Sequence, residues 1–176
     1  VQMVAAADVD SGECKKLTAR KAGVKTFSDW REMFQAMDKG IDIISVSTPD
    51  HMHGIMAMSA MNLGKHVYVQ KPLAQTVGEC RAMREAAHQN KVIVQMGTQG
   101  ASSFNDRTAV DWVQRKLIGK VTEAWVFCGK SWGDLKPLPD HQDQVPDGLD
   151  WDGWLGVGEK RPFIEKYYHP KNWRRR

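Results

Sequence analysis

The stretch His66–Leu73, HVYVQKPL, alternates apolar and polar side chains as a strand does, then delivers a lysine to its carboxyl end and a proline after it. Pro72 fixes its own φ and biases Lys71 toward extended backbone, which holds the lysine at the strand tip. An ammonium in that place can stabilise negative charge developing on an oxygen and help move its proton. On residue type alone, a solvated strand end is the favoured alternative. Three other polar segments follow apolar runs: Asp8 after Val1–Ala7, Thr48-Pro49-Asp50-His51 after Ile41–Ser47, and Gly97-Thr98-Gln99 after Val92–Met96. His51 and His53 have the H-x-H spacing that can give two imidazoles to zinc, but no cysteine or carboxylate cluster completes the set, so no metal site is read here. Asp140-His141-Gln142-Asp143 has ligand-like composition within a proline-rich loop and reads as a solvated turn. Cys14, Cys80 and Cys128 are too scattered for a disulfide framework or a CxxC site, and read as small buried hydrophobes.

The elements that position these groups follow from periodicity. A helix is expected from about Gly12 to Lys21 and a short extended piece from Val24 to Phe27. Ser28 or Asp29 then caps a helix whose face is Trp30, Met33, Phe34 and Met37, spaced i, i+3, i+4, i+7, and which ends at Gly40. Ile41–Ser47 is apolar on both faces, as suits a parallel strand covered by helices on each side. A Met- and Ala-rich helix follows from about His53 to Leu63, with Met52, Met56, Met58 and Met61 as its packing stripe. Thr76-Val77-Gly78-Glu79 has capping-box spacing and opens a helix running to about Asn90. Alternating strands and helices with short connections mean parallel strands and right-handed crossovers, so the fold class is α/β, a Rossmann-like doubly wound sheet. Ligands of such sheets bind beyond the carboxyl ends of the strands, where all four polar segments fall. An acidic residue at the end of the second strand of a dinucleotide fold accepts from ribose hydroxyls; for Asp8 the alternative is a helix N-cap with Ser11.

Composition sets the outer limits. The chain is 41% apolar and 26% charged, as expected of a globular protein, and no apolar run approaches a membrane span. Its net charge of +4 owes much to Arg174, Arg175 and Arg176, a terminal run that reads as solvated, so neither nucleic acid nor membrane is expected as a partner.

TPDHMH (48–53), GKHVYVQKPL (64–73), ADVD (7–10) and VQMGTQ (94–99) resemble the glucose-fructose oxidoreductase/inositol dehydrogenase/MocA (Gfo/Idh/MocA) family of NAD(P)-dependent enzymes. GLDWDGWLG (148–156), RPF (161–163) and YHPKNWR (168–174) look like the tryptophan-rich segment of its bacterial members. The resemblance implies an N-terminal Rossmann domain, here 1–118, and the start of a C-terminal substrate and oligomerisation domain, 119–176, opened by a strand over Val121–Cys128. The sequence holds no G-x-G-x-x-G, so the resemblance implies that a first βα unit of roughly thirty residues precedes Val1. In the strand order 3-2-1-4-5-6, its strand belongs between Val1–Ala7 and Ile41–Ser47. No D-x-x-x-H segment follows Trp173, where the family places a further catalytic histidine.

By the same resemblance, Lys71 is the catalytic group that contacts the reacting substrate oxygen in a partly dry cleft. Asp8, Ser47, Thr48, Pro49, His53, Gln70 and Lys71 bind the cofactor, NAD with NADP possible through Lys15 and Lys16. Gln70 stands where the family has glutamate, keeping hydrogen bonds but losing charge. Trp151, Trp154 and Trp173 suit either a sugar-stacking wall or an aromatic anchor. The expected activity is hydride transfer between nicotinamide and a secondary alcohol of a sugar, cyclitol or related polyol, in a cytoplasmic homo-oligomer; periplasmic export stays open, since a signal peptide would precede Val1. The alternative is a non-catalytic Rossmann-type binding or scaffold protein.

Overall fold

The structure, a computed structural model, describes residues 1–129, 137 and 139–167; Trp173 and the arginine run lie outside them. The chain forms two compact units, residues 1–97 with 141–164, and residues 98–140 with 165–176.

In the first unit, β1 (Ala5–Ala7) pairs in parallel with β2 (Lys25–Phe27), and β3 (Ile43–Val46), β4 (His66–Gln70) and β5 (Val94–Gly97) form a separate parallel sheet in that order. The sheet is thus divided between β1 and β3, at the place where the family order puts one more strand. Helices α1 (Ser11–Arg20), α2 (Trp30–Met37), α3 (His53–Asn62) and α4 (Val77–Gln89) alternate with the strands. Their starts are chemically defined. Asp29 caps α2 by accepting from the Arg31 N–H, and Thr76 with Glu79 closes the full capping box of α4. Asp10 caps α1, accepting from Gly12 N–H at 2.8 Å.

The core follows the expected faces. Met33 and Phe34 of α2, Ala57, Ala60 and Met61 of α3, and Met83 and Ala86 of α4 pack with Ile44, Val46, Val67 and Val69. Met52 and Met61 are buried, as the packing reading of the methionine stripe requires. The opposite face of β3 departs from expectation: Ile43 is 49% exposed, because no described helix covers it. His66 packs and also accepts from Ile93 N–H through Nδ1 at 3.0 Å.

In the second unit, α5 (Phe104–Gln114) was not foreseen, although Ser103-x-x-Asp106 announces it and Ser103 Oγ accepts from Asp106 N–H at 3.1 Å. The strand expected over Val121–Cys128 does not form. Its alternation is genuine, but no described segment lies alongside to pair its N–H and C=O groups, and Trp125, Val126 and Phe127 stand 73%, 93% and 86% exposed. Cys128 is exposed too, against the buried reading, while Cys14 and Cys80 are half-buried.

Candidate functional site

Parallel pairing sets the rim. Val46 lies beside Val69 and Gln70 beside Gly97, so the chain leaves β3, β4 and β5 along one edge. Ser47 is exposed there and Thr48 and Pro49 are half-buried, leading into a 3₁₀ turn over Asp50–Met52 closed by Met52 N–H to Pro49 O at 3.0 Å. Lys71 follows β4 and is exposed; the dry enclosure expected around its ammonium is not supplied by the described residues of this unit. Gln70 lays its amide across Gly97, where a Cβ would come within 2.8 Å of Oε1. A side chain at position 97 would have to push that amide aside.

His53 links two of these ends. Its ring is 1% exposed, with Nδ1 2.6 Å from the Pro72 carbonyl oxygen and Nε2 2.9 Å from that of Thr48. Both ring nitrogens are therefore taken up by main-chain oxygens, one on each side of the Ser47–Lys71 edge. Nothing in the side-chain pattern announced this, since the partners are backbone groups 5 and 19 residues away.

The end of β1 joins the same rim through the tryptophan-rich segment. Leu149 bridges Asp10, Ser11 N–H donates to Gly148 O, and Asp150 N–H donates to Val9 O at 2.9 Å. Asp150 then caps α6 (Trp151–Leu155), whose far end meets the turn after β3: His51 Nε2 donates to Trp154 O at 3.0 Å. Gly156, at φ +52°, places Met52 sulfur where a side chain would project. Five helical residues at 1.5 Å each span only about 8 Å, so the ends of β1 and β3 share one edge a short helix apart. Trp151 stacks on Trp154 with ring centroids 4.8 Å apart, meets Phe163 edge-on at 5.2 Å, and donates from Nε1 to Arg161 O at 2.8 Å. Both indoles are buried, so these two tryptophans are the anchor and not an exposed wall.

Asp8 is exposed at the end of β1, and its Oδ1 accepts from Asp10 N–H at 2.9 Å. Since Asp10 caps α1, the capping alternative for Asp8 falls to its neighbour. Burial first, then the Asp8 carboxylate, push the Cys14 thiol above its ordinary value, so it is a protonated packing group. Among the described residues, no group of three or more His, Cys, Asp or Glu side chains is placed to hold a metal ion, and no helix is long and apolar enough to cross a membrane.

Parallel strands whose carboxyl ends gather an aspartate, a Thr-Pro turn and a lysine on one rim define an α/β fold of the dinucleotide-binding class. The profile of the Gfo/Idh/MocA oxidoreductases, described as having an NAD-binding Rossmann fold, matches residues 1–98, and the chain belongs to that family. It is 29% identical over 147 residues to inositol 2-dehydrogenase of Salmonella typhimurium, covering 81% of this chain and 41% of the relative. It is 29% identical over 104 residues to levoglucosan dehydrogenase of Pseudarthrobacter phenanthrenivorans, covering 58% and 26%. Among solved structures, myo-inositol 2-dehydrogenase from Lactobacillus plantarum superposes with TM-score 0.64 at 27% identity, covering 69% of this chain and 35% of that one. The chain thus spans about two fifths or less of the length of these relatives.

Proposed function

We propose that the full-length protein is an NAD-dependent oxidoreductase acting on a secondary alcohol of a sugar, cyclitol or related polyol. The observation that carries this is the continuous rim: Lys71-Pro72 tied through His53 to Thr48, and the following turn tied through α6 to the strand that ends in Asp8.

The residues fit the cofactor in kind. Asp8 presents an exposed carboxylate, with cap duty taken by Asp10, where a ribose diol needs an acceptor. Ser47, Thr48 and Pro49 line the dinucleotide between β3 and α3, and Gln70 offers an uncharged amide beside Lys71. Lys15 and Lys16, the latter paired with Glu13 at 2.6 Å on the surface, keep a 2′-phosphate and so NADP within reach of the same site. Bound NAD supplies the hydride acceptor or donor. Lys71 is the catalytic residue: its ammonium donates a hydrogen bond to the carbinol oxygen and stabilises the negative charge that grows there as the hydroxyl proton passes to water. The relatives named for inositol and levoglucosan dehydrogenation support a cyclic polyol as substrate. The exposed apolar run Trp125–Phe127 supports a second, substrate-side domain that opens after residue 118, from which residues 141–164 return to the first unit.

The test is to titrate the full-length protein with NAD and NADP, then to follow nicotinamide reduction over a panel of inositols, anhydrosugars and hexoses. NAD binding with turnover of at least one cyclic polyol is expected. A protein that binds neither dinucleotide is the scaffold of the alternative reading.

A further inference from the structure

The fully buried imidazole of His53 faces two acceptors and nothing else that the described hydrogen bonds show. A carbonyl oxygen only accepts, so each contact is a hydrogen bond only where the ring nitrogen carries a hydrogen; one ring serves both carbonyls when it carries two. Its anchoring is lopsided in a useful way. The Thr48 side has its own main-chain closure, Met52 N–H to Pro49 O at 3.0 Å, which survives loss of the ring. On the Lys71 side, the hydrogen bond the structure gives the Pro72 carbonyl comes from His53. Beyond Pro72 the loop is pinned by Ala74, buried and 3.7 Å from where a Cβ on Gly54 would stand. Lys71 itself is exposed, with no described ion pair to aim it. The Glu79 carboxylate lies 3.3 Å from where a Cβ on the neighbouring Gly54 would stand.

We infer that His53 is a positioning residue: its buried ring, wedged between the Pro72 and Thr48 carbonyl oxygens, fixes the Lys71-Pro72 backbone against the Thr48 turn, and so sets where the ammonium meets the reacting oxygen. The resemblance places His53 among the cofactor-binding residues; with both ring nitrogens against main-chain oxygens, its part is to hold the rim from beneath. The inference rests on the oxidoreductase reading for its kinetic arm only. A lysine carried on a backbone that is free to drift by an ångström loses on the order of a hundredfold in turnover.

The experiment uses the full-length protein, native and as His53→Ala and His53→Gln. In the native protein, NMR of the His53 ring is expected to show a ring N–H hydrogen-bonded to a main-chain carbonyl and shielded from exchange; a freely exchanging ring would overturn the tie. In His53→Ala, amide exchange over Leu73–Gln75 is expected to quicken, turnover to fall about a hundredfold, and NAD affinity to stay within about threefold. Exogenous imidazole should reverse the exchange and turnover changes by filling the vacated hole. His53→Gln, which can donate from one amide nitrogen only, should stay impaired and resist rescue. A folded His53→Ala protein with native exchange and native turnover overturns the proposal. If the native protein turns over no polyol, the oxidoreductase reading fails, while the NMR and exchange results still decide the role of His53.

Discussion

The bridge made by α6 can be broken at Trp151, and the structure sets the size of the loss. Trp151 is 8% exposed, stacked on Trp154, edge-on to Phe163, and bonded through its indole N–H to Arg161 O. Truncating a buried tryptophan to alanine costs roughly 3–5 kcal/mol, which already includes the lost packing and the cavity left behind. Trp151→Phe keeps an aromatic ring for the stack but loses the N–H donor; Arg161 is exposed, so water can replace that partner, and the cost should be about 1 kcal/mol. The assay is urea unfolding of the full-length protein by circular dichroism, with NAD titration of each variant. Trp151→Ala should lose several kcal/mol and bind NAD more weakly, because the Val9–Ser11 and His51 contacts both hang from this helix. An alanine variant destabilised by less than about 1 kcal/mol, with native coenzyme affinity, would refute the claim that these aromatics anchor the rim.

Other expectations follow from single contacts. Gly97→Ala should push aside the Gln70 amide, costing about 1 kcal/mol in unfolding experiments and lowering turnover more than it changes coenzyme binding. Asp10→Ala should cost about 1 kcal/mol through the lost cap of α1, whereas Asp8→Asn should leave stability nearly unchanged and weaken NAD binding measured by calorimetry. Hydrogen bonds from Arg31 hold the Asp29 carboxyl below its ordinary value of 3.8. A depressed value contributes stability that is fully present above the ordinary value and lost as pH falls below it. Asp29→Asn still caps α2, so the stability gap between it and the native protein should be open at neutral pH and close in acid.

Much of this was written in local chemistry. The Trp30, Met33, Phe34 and Met37 face, the Asp29 cap and the Thr76–Glu79 capping box are short-range signals, and the structure forms each of them. The α5 and α6 helices were legible through Ser103 and Asp150, but α5 buries no residue and α6, whose Trp151, Trp154 and Leu155 are all buried, is only five residues long, so periodicity passed over them. Val121–Cys128 carries a strand pattern without a neighbour to complete it, which no pattern can supply. The site divides in the same way. Lys71 and Thr48-Pro49 announce themselves by residue type and place, whereas the role of His53 lies in backbone carbonyls brought to it by the fold. The link between Asp8 and His51 depends on residues some 140 and 100 positions further on, a tertiary fact.

The most direct test of the central claim is Lys71→Ala in the full-length protein, measured for NAD affinity and for oxidation of its best polyol. In the proposed function, Lys71 holds the reacting oxygen while Asp8 and the Thr48 turn hold the adenosine half. Turnover should therefore fall by at least about a thousandfold, with NAD affinity altered by less than about threefold. A variant that still oxidises the polyol at the native rate would contradict the account.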